Sequence, residues 1–84
     1  MILLDFDFEK LSHTNCTHDD NVLQNLEIAQ KECKDDKQCT GVFQEKCTDE
    51  NNYYLCLKNA TLLTDNRIQG CFHKKFPVGE YIDG

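Results

Sequence analysis

Eighty-four residues, 39% of them hydrophobic and none tryptophan, suffice for one domain but not for a second core. A chain this short buries only roughly 60–65% of the surface its unfolded form exposes, and its six cysteines are the obvious staples, which points to three disulfides and an oxidising compartment. The net charge of −6 is spread along the chain and repels phosphate backbones, sulfated glycans and anionic lipid heads, so nucleic acid, heparin and membrane surfaces are poor candidates for partners.

Residues 2–9 alternate, with Leu4, Phe6 and Phe8 on one face and Asp5, Asp7 and Glu9 on the other, the pattern of a half-buried strand. Met1-Ile2-Leu3-Leu4 runs straight into Asp5 and is no secretory signal; Met1 reads as a start placed on a mature or excised segment. No apolar run approaches the roughly 20 residues that span a bilayer, so no membrane insertion is expected. Residues 10–20 have the polar composition of a loop anchored by Cys16.

Leu26, Ala29 and Cys33 fall at i, i+3 and i+7, an apolar helical stripe, while Glu27, Gln30, Lys31 and Glu32 take the wet side. Asn21 or Asn25 can cap this helix, Asn25 being favoured, and it ends near Lys34. A solvated turn closed by Cys33 and Cys39 follows. Residues 40–46 and 53–58 read as antiparallel strands. A two-residue turn at Asn51 and Asn52 would set Cys47 opposite Cys56 in a non-hydrogen-bonded pair, whose geometry permits a disulfide. A wider loop would shift that register. Leu62 and Leu63 are expected to dip into the core from a long polar connection, residues 70–76 to form a last strand, and residues 77–84 to fray after Pro77 and Gly79.

Ala29-x3-Cys33-x5-Cys39-Thr-Gly-Val-Phe, then Leu55-Cys56-Leu57-Lys58 and Gly70-Cys71-Phe72-His73-Lys74, resembles the PAN/Apple domain family over nearly the whole chain. The resemblance rests on order and spacing. It implies a small α+β domain, residues 1–84 with a core at about 2–76, in which one helix packs across a twisted antiparallel sheet. The family's helix-to-sheet disulfide falls on Ala29 and Leu55, so an apolar contact is expected in its place. Its inner bridge carries over to Cys33–Cys39. Cys47–Cys56 and Cys16–Cys71 then take the remaining cysteines, the last resembling, without matching, the terminal bridge of Apple domains. A nested alternative pairs Cys33 with Cys56 and Cys39 with Cys47.

Function is expected to be non-catalytic. With the cysteines committed to disulfides, one serine (Ser12) and no motif joining His13, His18 or His73 to other groups, no nucleophile, metal or cofactor site is expected, and the histidines read as surface residues. Asn15-Cys16-Thr17 and Asn59-Ala60-Thr61 are glycosylation acceptor patterns, Asn59 the more usable because Cys16 is expected to be bonded. Tyr53 and Tyr54 beside Asn51 and Asn52 could hold a sugar or peptide, although one tyrosine as core and the other as cover is the plainer reading. Lys58, Arg67, Lys74 and Lys75 could instead meet an acidic protein. The resemblance implies an extracellular module that binds protein or carbohydrate as one unit of a larger secreted or surface protein. The alternatives are a free-standing effector such as a protease inhibitor or toxin, and a self-associating matrix module.

Overall fold

The N-terminal and C-terminal strands lie side by side, and the hairpin between them in sequence joins the same sheet. In the computed structural model, which describes residues 2–3, 5–58, 61–78 and 80–81, the chain runs β1 (Ile2–Leu3), β2 (Phe6–Ser12), β3 (Thr14–Asn15), α1 (Leu26–Asp35), β4 (Gly41–Lys46), β5 (Asp49–Cys56), β6 (Leu63–Thr64), β7 (Cys71–Pro77) and β8 (Glu80–Tyr81). The main sheet is antiparallel, in the order β2-β7-β4-β5. This is a disulfide-rich α+β fold with one helix. Phe6 pairs with Pro77 in the main sheet and Ile2 with Tyr81 in a separate two-stranded one, so residues 80–81 are paired where a fraying tail was expected. Leu4, Gly79 and residues 82–84 lie outside the described residues.

The sheet is covered on both faces, but at different places. Residues of one parity on β2 and β7, including Phe8, His73 and Lys75, face α1, and with them Val42, Tyr53 and Leu55 pack against Ala29, Cys33 and Cys39. Residues of the other parity, Leu11, Phe43, Tyr54 and Phe72, form a second cluster with the Cys16–Cys56 bond. That explains why the apolar parity of β2 switches from Phe6 and Phe8 to Leu11: the helix covers one face, and residues 13–20 cover the other. The polar stretch 10–20 is thus less of a loop than its composition implies. Its first residues continue β2 to Ser12, His13 turns with a φ of 56°, and β3 pairs with β6.

Helix α1 forms where the stripe places it. The Asn25 carboxamide oxygen accepts from the amides of Glu27 (2.8 Å) and Ile28 (3.2 Å), satisfying two donors that the first turn leaves open. Ala29 and Cys33 are fully buried. Ala29 is buried in the helix-side cluster against which Leu55 packs, so both positions of the expected apolar contact belong to one apolar cluster.

The hairpin register differs from the expected one. The turn lies at residues 47–48, Lys46 faces Asp49, and Gln44 faces Tyr53, with an irregularity between that spreads residues 50–52 of β5. Asn51 and Asn52 therefore mark the irregular stretch of the strand instead of its turn. Apolar pairing decides this: the observed register sets Val42 against Leu55 and Phe43 against Tyr54, whereas the Asn-Asn turn would have faced Tyr54 with Asp49 and Leu55 with Thr48.

The disulfides follow the register. Cys33–Cys39 closes the end of α1 onto β4, but Cys47 bonds Cys71 instead of Cys56, and Cys16 bonds Cys56 instead of Cys71. With Cys47 in the turn and Gly41 opposite Cys56, a Cys47–Cys56 bond would have to span nearly the length of the hairpin. The nested alternative fails for the same reason.

Three further expectations are corrected. Leu62 and Leu63 are 47% and 59% exposed, because β6 pairs with β3 beyond the sheet and does not enter the core. His73 is buried on the central strand. Its Nε2 lies 2.9 Å from Gln44 Oε1, a donor-acceptor pair that satisfies both polar groups in the interior. His18 is half-buried, its ring stacked on Tyr54 at 4.4 Å and on Phe43 at 5.2 Å between centroids, so it serves as an aromatic lid over the second cluster.

Both edges of the sheet are occupied or blunted. Residues 17–23 run along β5, with Leu23 and Tyr53 exchanging two amide hydrogen bonds of 2.8 Å. On β2, the side chains of Asp5 and Asp7 accept from the amides of Phe6 and Phe8, each at 2.8 Å, and so occupy donors that an added strand would use.

Candidate functional site: a lysine-rimmed cleft

Strand β7 outruns its neighbour. β4 begins at Gly41, opposite Lys74, and after one further bond from the Lys75 amide to the Thr40 carbonyl (3.1 Å) Phe76 and Pro77 have β2 on one side and no β4 partner on the other. The end of α1 and the segment that follows it stand beside this gap, because the Cys33–Cys39 bond holds the chain between helix and β4 close to β7. The notch left over is a cleft of about 460 Å³.

Its walls are apolar. Phe6 of β2, Phe72 of β7, Leu62 and Cys39 line it, together with Thr40. Its rim is basic: Lys34 and Lys37 come from the end of α1 and the turn after it, and Lys74 and Lys75 from β7. Thus four of the nine basic residues of a chain with net charge −6 converge on one opening, and among the described residues its lining includes no carboxylate.

The four ammonium groups are not equivalent. Lys75 Nζ donates to the carbonyls of Cys33 (2.6 Å) and Asp36 (3.2 Å) at the end of the helix, adding a charged donor to the Asp36 and Cys39 amides that these oxygens also accept from, and sits 4.3 Å from the centre of the Phe6 ring. Burial pulls its pKa below the usual lysine value, while Asp36 and Asp35 pull the other way. Lys34 lies 3.5 Å from Asp5, whose carboxyl is held below its ordinary range first by the Phe6 amide and then by this lysine. Lys37 and Lys74 form no ion pair with any described residue; Glu9 stands across from Lys74 on β2. Lys75 is therefore held in the wall, Lys34 is shared with the exposed Asp5 carboxylate, and Lys37 and Lys74 are exposed and available to a ligand.

Of the residues singled out in the sequence, only Lys74 and Lys75 come to this cleft. Tyr53 is 2% exposed and belongs to the helix-side core, and Tyr54 lies on the opposite face under His18, so the two tyrosines do not form one surface. Asn51 is exposed and Asn52 half-buried on the irregular part of β5. Lys58 is exposed and does not line the cleft. Arg67 is bound to Asp65 at 2.8 Å. The Asn15 side-chain oxygen accepts from the Cys16 amide at 2.7 Å on a half-buried strand beside the Cys16–Cys56 bond. Asn59 lies outside the described residues. Lys34 and Lys37 were missed, and their signal was present: one helical turn apart, they flank the end of α1 just before Cys39.

Among the described residues no cluster of His, Cys, Asp or Glu is placed to hold a metal ion, and no helix is long and apolar enough to cross a membrane. No protein-family model matches the chain, and neither a curated protein nor a solved structure matches it.

Proposed function

We propose that this chain is a non-catalytic extracellular recognition module that takes an acidic ligand at the lysine-rimmed cleft. The observation that carries the reading is the convergence of Lys34, Lys37, Lys74 and Lys75 on one apolar notch in a protein that is acidic elsewhere. Such a field attracts anions locally while the rest of the surface repels them, which confines binding to one place and favours selectivity. The extracellular assignment is supported by the pairing of all six cysteines in disulfides.

Kinship with PAN/Apple domains belongs to the same proposal. Its support is the helix packed across an antiparallel sheet, with Ala29 and Leu55 in the same apolar cluster where the family has a disulfide. The cleft favours an acidic ligand over a neutral sugar, because Tyr53 is buried and Tyr54 is covered by His18.

The test is an array of acidic and neutral glycans, peptides and small organic acids, probed with the wild-type domain and with Lys37→Glu/Lys74→Glu. Binding confined to acidic features and lost in the double variant is expected. Binding to neutral glycans alone, unchanged in the double variant and lost in Tyr54→Ala, would overturn the reading.

A further inference from the structure

The shape of the cleft says more than its charge. A flat lysine patch would suit a phosphate, a sulfated chain or an acidic peptide equally, but here the lysines stand at the rim of a notch walled by Phe6, Phe72 and Leu62. Its volume of about 460 Å³ lies within the roughly 300–1,000 Å³ of cavities that take small organic molecules. Leu62 is 47% exposed although it helps to form this wall, so apolar surface is left open at the mouth. An inorganic anion would leave those walls wet. A neutral apolar molecule would leave Lys37 and Lys74 unused.

Resting on the cleft as the ligand site, we propose that its ligand is a small amphipathic anion: an aliphatic or aromatic body seated against Phe6, Phe72 and Leu62, with a carboxylate or equivalent acidic head held by Lys37 and Lys74. Lys75 is committed to the helix carbonyls and Lys34 is partly neutralised by Asp5, so Lys37 and Lys74 supply the charge that recognises the head. The head stays near the mouth, where its solvation is only partly lost, and the body displaces water from the apolar walls.

Titration calorimetry with three probes tests this: monomeric laurate, its uncharged methyl ester, and acetate. Saturable binding of laurate is expected, with the ester and acetate each at least about tenfold weaker, since one lacks the charge and the other the body. Lys37→Glu, a substitution at an exposed turn, and Lys74→Gln should each weaken laurate about tenfold, and Leu62→Ser should weaken it with an unchanged thermal midpoint. Absence of saturable laurate binding up to about 1 mM would overturn the ligand class. Should the acidic features of the array still bind and still depend on Lys37 and Lys74, the recognition reading stands and only this inference fails. Binding to anionic lipid vesicles without binding to monomeric laurate would overturn it as well, since the occupant would then be a membrane surface.

Discussion

The Lys75 ammonium donates to the main-chain carbonyl of Cys33 across 2.6 Å, joining the central strand to the last turn of a helix 42 residues earlier in the chain. Hydrogen bonds from a charged donor contribute more than neutral ones, and this one also offsets the carbonyl dipoles at the helix end. Its half-buried stem packs by Phe6. Lys75→Met keeps much of the stem and removes the charge. It should cost about 1–2 kcal/mol in urea unfolding and increase amide exchange at residues 33–36 before it affects the strands.

The disulfides should rank by the loop each closes. In the chain-entropy picture Cys16–Cys56, with a sequence separation of 40, stabilises by about 4 kcal/mol, Cys47–Cys71 (24) by about 3.5, and Cys33–Cys39 (6) by about 2. Paired Cys→Ser replacements, compared by thermal midpoint, should follow that order. Cys33→Ser/Cys39→Ser should nevertheless be the pair that most weakens ligand binding, because Cys39 lines the cleft.

Gly41 is where β4 passes closest to β7. A Cβ there would collide with the Phe72 ring and with the main-chain oxygen of His73, and a backbone atom in a central strand cannot step aside. Gly41→Ala should cost about 1–3 kcal/mol in equilibrium unfolding, and shrinking the ring in Gly41→Ala/Phe72→Leu should recover little, since the clash with the carbonyl remains.

His73 sets a pH dependence with a definite sign. Burial lowers its pKa from the ordinary 6.5, and Lys10, across from it on β2, lowers it further. Above pH 6.5 the ring is neutral in both folded and unfolded chains and its contribution is fully present. As pH falls below 6.5 the unfolded chain takes up a proton that the folded ring resists, so stability falls. Urea midpoints should decline through this window in the wild type and stay flatter in His73→Gln. The exposed carboxyls of Asp5 and Asp65, both held below their ordinary 3.8, act only at lower pH, so the two effects separate.

What was legible in the sequence was local. Asn25 with Leu26, Ala29 and Cys33 specifies a cap and a stripe within ten residues of chain, and both form as read. The parity of Phe6 and Phe8 was legible, but the switch at Leu11 was not, because it depends on residues 13–20 folding over the other face. The hairpin turn misled because Asn51 and Asn52 have turn chemistry, while the register answers to Val42 and Phe43 finding Leu55 and Tyr54. Two disulfides were lost with it. His73 and Gln44 become interior partners only when β7 inserts between β2 and β4, a neighbour relation that no local pattern encodes. The cleft is hidden for the same reason: Lys34 and Lys37 are some 40 residues from Lys74 and Lys75, and the gap they share exists because pairing on the β4 side of β7 stops at the Lys75–Thr40 bond while β7 runs on to Pro77.

The most direct test of the site is a ¹H–¹⁵N shift map of the oxidised domain titrated with laurate. Saturable shifts centred on the amides of Lys37, Thr40, Leu62 and Lys74, with Tyr54 and His18 unmoved, are the predicted result. Shifts centred on Tyr54 and His18, with the cleft silent, would contradict the account and return the binding surface to the aromatic face.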